Sequence, residues 1–259
     1  METMSVLFSW PMVLCAVGGI FTGFVDSIAG GGGLISLPML LALGLPPHIA
    51  VGTNKFAAAF GNMTSAWQFV KAGKIDVHLL RYMAPFALAG SVCGSSVMIY
   101  LPPQVLEPLL LGVLILTAVF VFVKRDLGST QAASSGRHAV RKACAAAFVA
   151  GIYDGFAGPG AGTFMVVAFA MLGFDLVVAA GNAKLLAIVT NITSLILIIY
   201  WQKIWYVYAV VLAVSLMIGA YFGSRMAIRR GTGFIRVIML AVTVVLIAKL
   251  LINYVSLFS

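Results

Sequence analysis

Apolar residues run through this chain in long blocks divided by short polar or charged turns. The blocks lie near 6–26, 33–45, 49–70, 79–100 and 105–123, and again near 143–157, 162–174, 180–200, 207–226 and 234–255. A helix rises 1.5 Å per residue, so about 20 apolar residues cross a hydrocarbon core about 30 Å thick. Most blocks meet that length, and in lipid a span must satisfy its backbone internally, which a helix does. The pattern therefore predicts an all-α polytopic membrane protein. The blocks near 33–45 and 162–174 are short for a straight crossing and read as re-entrant pieces, leaving about eight full spans by hydropathy. The opening METMSVLFSW has no Lys or Arg ahead of its apolar run. It lacks the basic start of a cleavable signal peptide and is read as a retained first span.

Comparing the chain with itself divides it in two. GFVDSIAGGGG (Gly23 to Gly33) resembles GIYDGFAGPGA (Gly151 to Ala161), and Asp154 lies 128 positions after Asp26. One inserted residue later, GTNK (Gly52 to Lys55) matches GNAK (Gly181 to Lys184) at a spacing of 129. The same 129 carries Asn62 onto Asn191, Ser65 onto Ser194, and Gly90 and Gly94 onto Gly219 and Gly223. One register over most of each half points to a duplication. It gives a single transporter-like domain with repeats at 1–127 and 139–259 and a polar linker at 128–138.

Charge then suggests how the halves are oriented. The segment 124–142 holds Lys124, Arg125, Arg137, Arg141 and Lys142 against one acid, Asp126, and is expected to be cytoplasmic. Counting back places the uncharged Leu101 to Gln104 outside and the loop with Lys71, Lys74 and Arg81 inside. Counting forward places the loop with Lys203 outside and that with Arg225, Arg229, Arg230 and Arg236 inside. Equivalent loops carry opposite charge bias, as two inverted repeats of about five segments each require. Inverted repeats with broken helices recur in secondary transporters.

The composition agrees, with 62% hydrophobic and 9% charged residues and a mean hydropathy of +1.10. Soluble domains carry about 25% charge. The net charge of +9 sits in the short loops, so it reads as membrane orientation and not as a nucleic-acid surface. Cys15, Cys93 and Cys144 lie in apolar segments, far apart, and read as small apolar residues. His48, His78 and His138 have no ligand-like spacing, and neither a metal nor a cofactor is expected. Trp201, Trp205 and Tyr206 read as interface anchors.

With seven acids and sixteen Lys and Arg in the chain, those inside apolar blocks stand out. Asp26 and Asp154 are repeat equivalents, as are Lys55 and Lys184. Each charge costs about 2.5–3.5 kcal/mol at the centre of an isolated spanning helix. A purely structural role, Asp–Lys pairs holding a bundle together, is the plain alternative to a functional one. Beside the acids, the runs Gly30 to Gly33 and Gly158 to Thr163 let the chain leave the helix near the midplane. The short helices that follow would aim free N–H groups into the break, where they favour anions. The expected donors there are Gly31, Gly32, Gly33, Gly160 and Gly162, with the Thr163 hydroxyl. Two such breaks are expected to face each other across one cavity, although close helix packing is another use for the glycines. Asn62 lies seven residues after Lys55, hence on the same helical face, and Asn191 repeats this after Lys184. Asn54 and Asn182 add amides beside the lysines. Asp26 and Asp154 are expected either to hold the lysines or to carry a coupling proton. Neither GxGxxG nor GxxxxGK[ST] occurs at the glycine runs.

GFVDSIAGGGGLISLP followed by GTNK, then GIYDGFAGPGAGTF followed by GNAKLL, resembles the TauE/SafE family, the toluene-sulfonate uptake permease group. The likeness covers nearly the whole chain and keeps all four motifs in order. It implies a multi-pass transporter of the bacterial inner membrane for small, mostly sulfur-containing anions such as sulfite or sulfonates. Under this reading the partners are a small anion, the bilayer, a proton as coupling ion and a second copy in a homodimer. The sequence departs from symmetry where Ser27 faces Gly155 and Thr53-Asn54 faces Asn182-Ala183. Two rivals remain at this stage. One is an intramembrane aspartyl protease, for which Tyr153-Asp154 supplies half a signature but Asp26 lacks the GxGD context. The other is an uncoupled anion channel.

Overall fold

A computed structural model describes residues 10–123 and 137–258 of the chain. Residues 6–9 of the first expected span, and the linker from Lys124 through Ser134 to Gly136, lie outside the described residues. The described residues form helices and no strand: α1 Trp10–Ala29, α2 Gly33–Ala42, α3 Pro47–Lys71, α4 Val77–Tyr100, α5 Pro103–Val123, α6 Arg137–Phe156, α7 Ala161–Met171, α8 Leu176–Tyr200 and α9 Tyr206–Phe258. The all-helical architecture follows the apolar blocks, with two differences. Helix α6 begins at Arg137, so Arg137, Arg141 and Lys142 are already helical. The segments expected at 207–226 and 234–255 are two helical stretches that meet at a kink at Gly231 (φ 74°, ψ −164°), and the first runs on past 226 to the kink. Arg229 and Arg230, just before the kink, are helical and not in a loop, because arginine is a good helix former outside the apolar core.

Among the described residues, four stretches are long and apolar enough to cross a membrane: Trp10–Ala29, Val77–Tyr100, Leu176–Tyr200 and Tyr206–Ala241. Helix α3, at 25 residues, has the length but not the hydropathy, since it carries Asn54, Lys55 and Asn62. It gives up apolar character to furnish the interior.

Local signals set the helix starts. Asp76 caps α4 by accepting the Leu79 N–H at 3.2 Å, and Asp175 caps α8 by accepting the Val177 N–H at 3.0 Å. Pro47 opens α3, where its missing N–H is not needed. The turns before α4 and α9 match as well: Gly73 (φ 65°) and Gln202 (φ 53°), 129 positions apart, both take left-handed backbone.

Packing exchanges partners between the halves. Gly90 and Gly94 of α4 lie against the backbone of Phe148 and Ile152 in α6. Their counterparts Gly219 and Gly223 of α9 lie against Ile20 and Phe24 in α1. A Cβ on Gly94 would overlap the Ile152 carbonyl, so the crossing requires glycine. Where lipid removes the hydrophobic force between helices, such close approach supplies the packing energy. Two apolar clusters result, one around Leu37, Leu40, Met98 and Leu212, the other around Met165, Phe169, Ala227 and Met83. Leu216 of the first and Ala187 of the second reach the wall of a polar cavity.

Candidate functional site

The site forms where α1 and α6 stop. Helix α1 ends at Ala29 and α6 at Phe156. Just beyond, the repeat equivalents Gly30 (φ 76°) and Gly158 (φ 81°) take a left-handed conformation that other residues adopt only under strain. The chain then starts α2 and α7. The two breaks touch: a Cβ on Gly162 would stand 2.7 Å from the Gly30 Cα. Both breaks border one cavity, and they also touch each other beside it. With no side chain on either residue, the backbones close into contact, and the cavity lies beside them, bordered by Gly30, Gly32, Gly33, Gly158 and Gly162. The glycines thus serve both readings, breaking the helix and permitting close packing.

The charged side chains meet in pairs, and each pair joins the two halves. Lys55 of α3 donates to Asp154 of α6 at 2.6 Å, and Lys184 of α8 donates to Asp26 of α1 at 2.5 Å. Both lysines are 1% exposed. Ions so buried persist only when their remaining capacity is filled by good hydrogen bonds. Lys184 also donates to Asn62 Oδ1 at 3.0 Å. Asp154 accepts further bonds from the Thr190 hydroxyl and from Asn191 Nδ2, the latter at 3.4 Å. Asp26 accepts the Gly32 N–H at 2.9 Å. Asn62 therefore serves the lysine of the opposite helix and not Lys55 seven residues before it. No carboxylate of the two is left to share a proton with the other in the manner of an aspartyl protease pair.

The cavity between these groups is small, about 30 Å³. A single water needs roughly 10–15 Å³ by that measure. Of the residues expected at the site, Asp26, Asp154, Lys55, Lys184, Asn54, Asn62 and Asn191 line it, with Gly32, Gly33 and Gly162. Gly31, Gly160, Thr163 and Asn182 do not. The Thr163 hydroxyl donates to the Ala29 carbonyl at 2.8 Å and ties α7 to the end of α1. Gly160 holds the turn before α7 at φ 75°. Asn182 sits two residues before Lys184, on the other side of α8, because successive helical residues are about 100° apart. There its Oδ1 accepts the Asp76 N–H at 2.8 Å, as its counterpart Thr53 accepts the Trp205 N–H at 3.1 Å.

The sequence reading missed Thr22 and Ser36. Both line the cavity. Ser36 donates to Asn54 Oδ1 at 2.5 Å and so fixes that amide. Thr22, 1% exposed, has a hydroxyl without a hydrogen-bond partner. It lies four residues before Asp26, one helical turn away on the same face, a spacing legible in the sequence. Two ammonium and two carboxylate groups give the site no net formal charge. Gly33 and Gly162, in the first turns of α2 and α7, line its wall, and a helix start is the favourable end for an anion.

Comparison with known proteins places this architecture. The family model described as "Sulfite exporter TauE/SafE" matches residues 15–250. The chain is 33% identical over 255 residues to the probable membrane transporter protein YfcA of Escherichia coli K12, covering 97% of this chain and 94% of that one. It is 30% identical over 234 residues to a probable membrane transporter protein of Haemophilus influenzae, covering 90% and 91%. A shorter match, 30% identical over 87 residues, joins it to the Sulfite exporter TauE/SafE family protein 3 of Arabidopsis thaliana, with 33% and 18% covered. No solved structure matches it significantly. A family match across nearly the whole length, bacterial relatives named as probable membrane transporter proteins, and helices of spanning length make this a multi-pass transporter of the bacterial inner membrane. The chain belongs to the TauE/SafE sulfite exporter family.

Proposed function

We propose that the protein is a secondary transporter of a small anion, a sulfur oxyanion such as sulfite or an organosulfonate, working by alternating access around the cavity at the broken helices. The observation that carries this reading is the pair of buried ammonium groups, Lys55 and Lys184, on the wall of one small cavity. A dehydrated oxyanion needs such charges, with amide and hydroxyl donors beside them, to replace its water. The volume suits a substrate of a few heavy atoms. The sulfur chemistry comes from the family description and from the name of the Arabidopsis relative.

The transport cycle follows from the duplication. Repeats at 1–127 and 139–259, inverted around the linker, give two related arrangements of one site, which is the basis of alternating access. The exchange of packing between halves supports a two-fold relation, and the opposite charge bias of equivalent loops supports its inversion. Asp26 and Asp154 are the groups available to carry a coupling proton.

Purified protein in liposomes, screened for uptake of sulfite, sulfate, thiosulfate, sulfonates and carboxylates, tests the reading. Saturable flux of a sulfur oxyanion or sulfonate is expected, lost in Lys184→Ala and retained in Lys71→Ala, whose side chain sits over Trp67 at the end of α3. Counterflow driven by unlabelled anion on the far side marks a carrier, and its absence marks a channel. Lack of flux for every anion in the set would refute the proposal.

A further inference from the structure

Building on that reading, we propose that the anion is received at one end of the cavity only, where the Thr22 hydroxyl and the Lys184 ammonium bind it and Asp26 is the carboxylate it displaces. The starting observation is the Thr22 hydroxyl. Ser27, Ser65 and Ser194 each donate to a carbonyl about one turn back, as hydroxyls in apolar helices do. Thr22 Oγ1 makes no such bond, although it is buried and its residue lines the cavity. A buried hydroxyl left open on a polar wall is a donor waiting for an acceptor.

The departures from repeat symmetry give the two ends different characters. The counterpart of Thr22 is Ala150, so the other end has no free hydroxyl. The counterpart of Thr190, which donates to Asp154, is Gly61, so Asp26 has no equivalent clamp. Asp154 is held by Lys55, Thr190 and Asn191, and its side chain is 6% exposed. Asp26 is held by Lys184 and one backbone N–H, and its side chain is 19% exposed. The Lys55–Asp154 end is locked. The Lys184–Asp26 end is open to exchange.

The exchange has a defined course. The anion takes Lys184 from Asp26 Oδ2, while Asn62 keeps the ammonium in place and the Gly32 N–H keeps Asp26 by Oδ1. Thr22, one turn from Asp26, gives its O–H to a second anion oxygen. The anion adds negative charge to a site that was neutral, and one proton given up by the buffer acid in solution, bound by the freed Asp26 carboxylate, cancels one unit of it.

Titration calorimetry on the full-length purified protein, with sulfite and with methanesulfonate as a fully ionised probe, tests this. Thr22→Val keeps the shape and removes the hydroxyl, and should weaken binding about tenfold or more, while Thr22→Ser stays near wild type. Titrations in two buffers of different ionisation enthalpy count the protons taken up with methanesulfonate. That uptake should be measurable in wild type and vanish in Asp26→Asn. Wild-type affinity in Thr22→Val, or undiminished proton uptake in Asp26→Asn, overturns the inference and leaves the transport reading standing. A wild-type protein that binds neither probe nor any other anion of the uptake screen overturns both, before any variant is compared.

Discussion

Removing one partner of the Lys55–Asp154 pair should be far more harmful than removing both. Lys55 is 1% exposed, and among the described residues Asp154 is the acceptor its ammonium bonds. In Asp154→Asn the ammonium stays buried, with only an amide in place of its counter-charge. In Lys55→Met the Asp154 carboxylate keeps Thr190 and Asn191 but loses its counter-charge. Breaking a buried pair in this way costs about 3–5 kcal/mol. For a chain of this size 1 kcal/mol moves the melting temperature by about 2–4 °C, so each single variant should melt about 6–20 °C lower. The Thr190 and Asn191 bonds place Lys55→Met at the mild end of that range. Lys55→Met combined with Asp154→Asn leaves neither charge and nearly the same volume, and should recover most of the loss. Thermal unfolding of the detergent-purified proteins, followed by tryptophan fluorescence, measures all four corners of the cycle. A double variant no more stable than the worse single would refute the pairing and the reasoning built on it.

Three further outcomes are expected. Single cysteines at Gln104 and Gln202 should react with an impermeant reagent added outside, and one at Gly231 should not; Gln104 and Gly231 on the same side would sink the inverted arrangement. Gly162→Ala, which drives a methyl into the Gly30 backbone, should abolish correctly folded protein in a size-exclusion assay, whereas Gly112→Ala, with open space around it, should raise stability by about 0.5–1 kcal/mol. Asn182→Ala takes the acceptor from the part-buried Asp76 N–H but also removes an amide N–H that has no partner, so it should lower the melting temperature by an amount equivalent to no more than about 1 kcal/mol, while anion affinity in the folded protein stays near wild type.

The amino-acid sequence exposes those parts of the site that the duplication copied. Asp26 and Asp154, Lys55 and Lys184, and Asn62 and Asn191 stand out because each occurs twice at one spacing, inside apolar blocks where a polar group is costly. Which lysine meets which aspartate is a different matter. Residue identity is symmetric between Lys55–Asp26 and Lys55–Asp154, and only the path of the chain through the touching breaks makes the second choice. Thr22 escaped notice for the opposite reason: its counterpart is Ala150, so a comparison of the repeats passes over it. Asn182 was drawn to the site by its neighbour Lys184, yet two residues on a helix put it on another face. The break at Gly231 falls between the two apolar blocks, but Arg229 and Arg230 before it are helical, because a helix leaving the membrane tolerates arginine.

The crossed pairs also bear on how binding and movement are linked. A site inside the membrane cannot keep two bare ammonium groups waiting for an anion, because an unpaired charge there is costly. Each lysine is therefore neutralised by an aspartate, and the aspartate belongs to the other half of the chain. An anion that takes Lys184 from Asp26 does not simply add a contact. It removes one of the two ionic ties between the halves and leaves Lys55–Asp154 as the other. A ligand shifts a conformational equilibrium only by as much as it binds one state better than the other. On the proposed reading, that difference arises here: the state in which Asp26 holds Lys184 must surrender a bond to bind the anion, and a state in which the halves have moved apart at that end need not. Selectivity then becomes a contest between an oxyanion and a carboxylate for one ammonium. An anion is carried when its oxygens, helped by Thr22, outbid Asp26 without binding so tightly that Asp26 cannot take the lysine back.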